Sequence, residues 1–153
     1  MLIIFLFSDI FQDVKIGFGV KTGGFYDIKN FLTQEAKSKM GSKLELIGIS
    51  WIKDTGIEGT YGFATQPSIG YMEIIFKNHL TKKGENRLNL GYGLGFYSTS
   101  GGSVGGIVSL EYQMLSSYFV NLLSDIKSIC VYGTNDGIIR LGFEFSIGFV
   151  FVL

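Results

Sequence analysis

Residues 87–96 read RLNLGYGLGF. Leu88, Leu90, Tyr92, Leu94 and Phe96 fall on every second position, with Asn89, Gly91, Gly93 and Gly95 between them. Strict alternation marks a strand with two unlike faces. A half-exposed soluble strand turns its large apolar set inward and covers the other face with polar groups. Here that other face is mostly bare glycine, so the apolar face reads as the exterior.

The composition points the same way. The chain has 153 residues, enough for a single domain or a small closed barrel. Only 17% of them are charged, against roughly 25% in ordinary soluble domains. Aromatic residues reach 15%, and 22 glycines accompany a single proline. Mean hydropathy is +0.33, yet after Phe7 no apolar run approaches the ~18–20 residues of a spanning helix. The apolar residues are instead interleaved with small and polar ones, as in membrane-barrel strands.

Thirteen basic and thirteen acidic residues cancel, which leaves no electrostatic case for nucleic acid. Cys130 is the only cysteine and His79 the only histidine. An internal disulfide is excluded, and neither a metal centre nor a cofactor is expected.

Alternation and turn signals mark eight strands: about 14–21, 43–53, 58–66, 69–78, 87–97, 107–115, 118–132 and 138–152. In the second, Ile47, Ile49 and Trp51 oppose Gly48 and Ser50, and the pattern breaks near Leu46 and Ile47, where a bulge is expected. Residues 27–41 carry a helical stripe of Ile28, Phe31, Leu32 and Ala36, with Gly41 as a cap. The segment 118–128 reads as strand or short helix. The last strand is the cleanest, with Ile139, Leu141, Phe143, Phe145, Ile147, Phe149 and Phe151 on one face.

Charge then separates inside from outside. Lys15, Glu73, Lys77, Glu111, Arg140 and Glu144 oppose the apolar face of their strands, and so do Asp125 and Lys127 if the seventh segment is a strand. The set is small and of mixed sign, too sparse for a solvated exterior. It suits a narrow filled lumen in which charges pair with one another. Leu90, Tyr92, Leu94, Phe143, Phe145, Ile147 and Phe149 would then face lipid, and Tyr61, Tyr92, Tyr112, Trp51 and Phe149 would supply interfacial belts. The fold class is therefore all-β: a closed antiparallel up-and-down transmembrane barrel of about eight strands.

GIIRLGFEFSIGFVFVL, 137–153, resembles the terminal strand of small bacterial outer-membrane β-barrels, although Leu153 stands where that family most often has Phe. LNLGYGLGFYS and SLEYQ are typical phrases of the same barrels. The resemblance covers residues 13–153 and implies an outer-membrane location, contact with the bilayer and insertion by the outer-membrane assembly machinery. It also implies periplasmic termini, with loops near 22–42, 66–68, 98–106 and 133–137 facing outward. Residues 1–12 resemble a signal-peptide remnant, leaving 13–153 as one barrel domain.

No catalytic set emerges. Some small outer-membrane barrels are lipid hydrolases with a Ser, a His and an acid, but His79 lies in KNHLTKKG with no serine nearby and reads as a solvated turn residue. Gly91, Gly93 and Gly95 lie inside a strand and relieve crowding rather than cradle phosphate. Cys130 reads as a small packing residue. The expected function is a non-catalytic structural or surface-interaction role, with 22–42 as the segment for a surface partner. The competing reading is a soluble lipocalin-like barrel, with Leu90, Tyr92, Phe143 and Phe145 around an apolar ligand and Glu73, Arg140 and Glu144 in water.

Overall fold

The computed structural model describes residues 14–29, 39–65, 68–83, 86–98, 102–115, 119–133 and 139–153. They form eight strands: β1 (Val14–Lys29), β2 (Lys39–Ile52), β3 (Thr55–Thr65), β4 (Ser68–Lys83), β5 (Asn86–Tyr97), β6 (Ser103–Leu115), β7 (Val120–Gly133) and β8 (Ile139–Val152). Each pairs antiparallel with its sequence neighbours, and β1 pairs with β8 from Gly17↔Val152 to Lys29↔Arg140. Closure leaves no unpaired sheet edge, which satisfies every strand's hydrogen-bonding groups from within the sheet.

The distribution of side chains is inside-out. Tyr92 and Phe145 are each 52% exposed on the outer surface, whereas Glu73 and Glu144 are 2% exposed inside. Leu90, Leu94, Phe143, Ile147 and Phe149 share the exterior. A lipocalin-like arrangement would place the first group inside and the second outside, so the geometry opposes it.

The glycine face of β5 is inward because the sheet leaves no room there. A Cβ on Gly93 would lie 2.0 Å from the Ile74 carbonyl oxygen, and one on Gly95 would meet the Tyr97 ring at 2.7 Å. The sole residue with a side chain in the left-handed backbone region is Lys53, at φ 57°, among the described residues. It opens the two-residue turn between Ile52 and Thr55, which pair across it.

Several expectations are corrected. Strands β1 to β6 run 11 to 16 residues, longer than the apolar alternation alone marks, because pairing continues beyond it, whereas β7 and β8, at 14 residues each, keep close to their expected bounds. Residues 27–29 and 39–41 are strand rather than helix, and 30–38 of that expected helix lie outside the described residues, as do residues 1–13. Residues 120–133 are strand, which decides 120–128 of the segment read as strand or helix, and 118 lies outside the described residues. No bulge interrupts β2, whose pairing with β1 and β3 is continuous. The irregularity falls instead in β4, between His79 and Thr81. Trp51 is not an interfacial residue but is 6% exposed inside the barrel, with Ile47 and Ile49 beside it on the inward face. Cys130 points outward rather than packing inside.

Candidate functional site

The inward residues of β7 display the layering of the lumen: Leu123, Asp125, Lys127, Ile129 and Val131, all buried. Toward the end that carries the termini, Leu123 packs with Ile47, Ile49, Trp51 and Val150. Toward the opposite end, Ile129 and Val131 pack with Ala64, Tyr71, Ile75, Tyr97 and Ile107. A charged layer is enclosed between two apolar ones. Low local dielectric makes its internal pairing strong and any unpaired member costly.

Among the described residues the charged layer holds four lysines and six carboxylates, in two clusters. In the cluster nearer the termini, Lys21 Nζ reaches Glu58 Oε1 at 2.9 Å, Asp125 Oδ2 at 2.7 Å and Glu111 Oε2 at 3.3 Å. Lys77 Nζ lies 2.5 Å from both Glu58 and Glu111. Glu111 and Asp125 are direct cross-strand partners, a repulsive pair in isolation. They are held because Lys21 contacts both.

In the second cluster, Lys127 Nζ lies 2.7 Å from Glu73 Oε2 and 2.8 Å from Glu45 Oε1. Lys43 joins Glu45 at 3.1 Å and also pairs with Glu144. In each cluster two ammonium groups thus face three carboxylates. Neutral donors add to the carboxylates: Tyr97 donates to Glu73 Oε1 at 2.9 Å and Asn89 Nδ2 to Glu111 Oε1 at 3.0 Å, oxygens the lysines leave open, while the Tyr71 hydroxyl donates at 3.1 Å to Glu45 Oε1, which the lysines share. Ser146 joins the clusters, touching Asp125 of one and Glu45 of the other.

A second polar group occupies the end that carries the termini. His79 stacks on Trp51 with ring centroids 4.3 Å apart and planes inclined by 19°. Its Nδ1 bonds Asn89 Oδ1, and Arg87 Nη1 lies 3.2 Å from its Nε2. Its backbone N–H donates to the Asp54 carbonyl at 3.1 Å. His79 is therefore a half-buried member of β4 and not a solvated turn residue.

Of the charges that alternation places on the inward face, Glu73, Lys77, Glu111, Asp125, Lys127 and Glu144 meet in the clusters. Lys15 and Arg140 do not join that layer. Lys15 is exposed near the start of β1, and Arg140 is half-buried near the start of β8. Lys21, Lys43, Glu45 and Glu58 complete the clusters without having been singled out from the sequence. Their parity was the available signal: Glu58 opposes Tyr61 and Phe63, and Lys21 opposes Phe18 and Val20. No grouping of His, Cys, Asp and Glu among the described residues is arranged to hold a metal ion.

Neither a family model nor a curated protein matches the sequence. Among solved structures, the crystal structure of Neisserial surface protein A superimposes with a TM-score of 0.73. The match covers 89% of this chain and 96% of that one, at 12% identity. The shared fold is a closed eight-stranded antiparallel up-and-down β-barrel. At this level of identity the likeness establishes architecture, while any role rests on this chain's own residues.

Proposed function

We propose that this chain is a small bacterial outer-membrane barrel with a structural or surface-interaction role, acting by display rather than catalysis or bulk transport. One observation carries the reading: an apolar exterior surrounds a lumen filled by ion pairs and flanked by buried apolar clusters toward both ends. Such a body suits lipid outside and offers no aqueous path inside. The similarity to Neisserial surface protein A supports the envelope setting.

In that setting the end carrying the termini faces the periplasm, and the alternating aromatic residues of β8 present the segment that the assembly machinery would read. The four connections at the other end stand above the membrane. The longest follows β1 and, together with the flanking strand ends in 22–42, is the place for a surface partner. Residues 1–12 fit a leader remnant. The rigid barrel fixes where the connections emerge, and the connections carry the variable chemistry.

Cell fractionation followed by cold and boiled SDS electrophoresis tests the reading. Outer-membrane recovery with a heat-dependent mobility shift, together with silence in a planar bilayer, is expected. Soluble recovery overturns the location, and steady ion-channel openings overturn the sealed lumen.

A further inference from the structure

The contacts of His79 define an ordered hydrogen-bond chain. Arg87 has only donors, so the His79 Nε2 that it approaches must accept. The ring proton then sits on Nδ1 and is donated to Asn89 Oδ1. Asn89 in turn donates through Nδ2 to Glu111, inside the charged layer. Every link has a fixed direction, set by the guanidinium at one end and the carboxylate at the other.

We propose that His79 and Arg87 form an acid-released latch over the terminus-bearing end of the lumen. A second proton on His79 makes Nε2 a donor, facing a group that can only donate. The hydrogen bond is lost, and two positive charges come to lie about one contact apart. Arg87 is half-buried and the second residue of its strand, so it can swing toward solvent. Trp51, stacked on the same imidazole, is then uncovered. The layer that separates water from Glu111 and Lys77 opens with it.

The surrounding charges make the response directional. On the same strand Lys77 lies two residues before His79, and from β3 Glu58 pairs with Lys77. From β6 Glu111 reaches the ring only through Asn89. Lys15 of β1 is the cross-strand neighbour of Trp51, and Asp54 engages His79 through its backbone carbonyl. Among the described residues, the ring's side-chain contacts are with Trp51, Asn89 and Arg87, and the charged one is Arg87. Added positive charge on the imidazole therefore acts first on that pair.

Trp51 is the only tryptophan in the chain, so its fluorescence reports directly. The experiment is acrylamide quenching of the full chain refolded in detergent, with the cold electrophoretic shift checking the fold of every sample. On acidification from about pH 8 to about pH 5, the quenching constant of the wild type should rise about twofold and reversibly. His79→Gln should give the same constant throughout. Arg87→Gln keeps a donor but removes the opposing charge, and it too should lose the rise. A wild-type constant that ignores pH overturns the latch. So does a rise that persists in His79→Gln or in Arg87→Gln. Should His79→Gln fail to fold, the Arg87→Gln comparison decides alone.

Discussion

Lys127 Nζ of β7 lies 2.7 Å from Glu73 Oε2 of β4, joining residues 54 positions apart across the inside of the barrel. β7 and β4 are not hydrogen-bonded neighbours in the sheet. This contact therefore spans the lumen instead of running along its wall, and the same ammonium also holds Glu45 of β2. Lys127→Met should leave these carboxylates buried without their main partner. The expected loss is about 3–5 kcal/mol, read as a lower urea midpoint for unfolding from lipid vesicles, with secondary structure retained before the transition.

Adjacent residues on β8 face opposite environments. Phe145 is on the exterior and Glu144 is inside, paired with Lys43. Phe145→Arg should cost about 2–4 kcal/mol when placed near the midplane of a bilayer, and should sharply reduce the heat-modifiable band after refolding. Glu144→Gln keeps the shape and loses one charge from a cluster already rich in carboxylates. It should fold with a modest change in midpoint. Equal refolding of Phe145→Arg and wild type would show that this face does not meet lipid.

Trp51 gives a test of the corrected orientation of β2. It is 6% exposed and stacked on His79 within the lumen. Lipids brominated along the acyl chain should leave its fluorescence nearly unquenched. A tryptophan introduced at Phe145 in a Trp51→Phe background should be strongly quenched by the same lipids. Quenching of Trp51 comparable to that of Phe145→Trp would place Trp51 outside.

Two glycines predict opposite tolerance to one methyl group. A Cβ on Gly93 would lie 2.0 Å from the Ile74 carbonyl oxygen, whereas one on Gly106 has nothing within 4 Å. Gly93→Ala must part β5 from β4 and should fail to give a closed barrel. Gly106→Ala should change stability by no more than about 0.5 kcal/mol. The electrophoretic shift after refolding distinguishes them.

The architecture was legible because a strand's side-chain period is two. Wherever one face was apolar and the other small or charged, as in β5, β6 and β8, parity alone separated the two surfaces. β2 was misread because both of its faces are apolar: Leu44 and Leu46 point out, while Ile47, Ile49 and Trp51 point in. The charged pair Lys43 and Glu45 shares the parity of Trp51 and held the decisive signal, which the expected bulge concealed. Glu58 and Lys21 were passed over because each stands at the edge of an apolar run, where strand limits are least defined.

What the sequence by itself determined is local: eight alternating segments, an apolar face around a sparse polar one, and a terminal strand of alternating aromatic residues. Only the tertiary structure decided which charges meet, because closure of the sheet brings β4 against β7 and β1 against β6 across the lumen, distances that no linear pattern encodes. It also decided the fate of His79. A histidine near a polar turn reads as solvated until the pairing of β4 with β5 sets Arg87 and Asn89 beside it and the β2 register puts Trp51 under its ring. Alternation is a property of one strand, whereas a site inside a barrel is a property of the circle that all eight strands close.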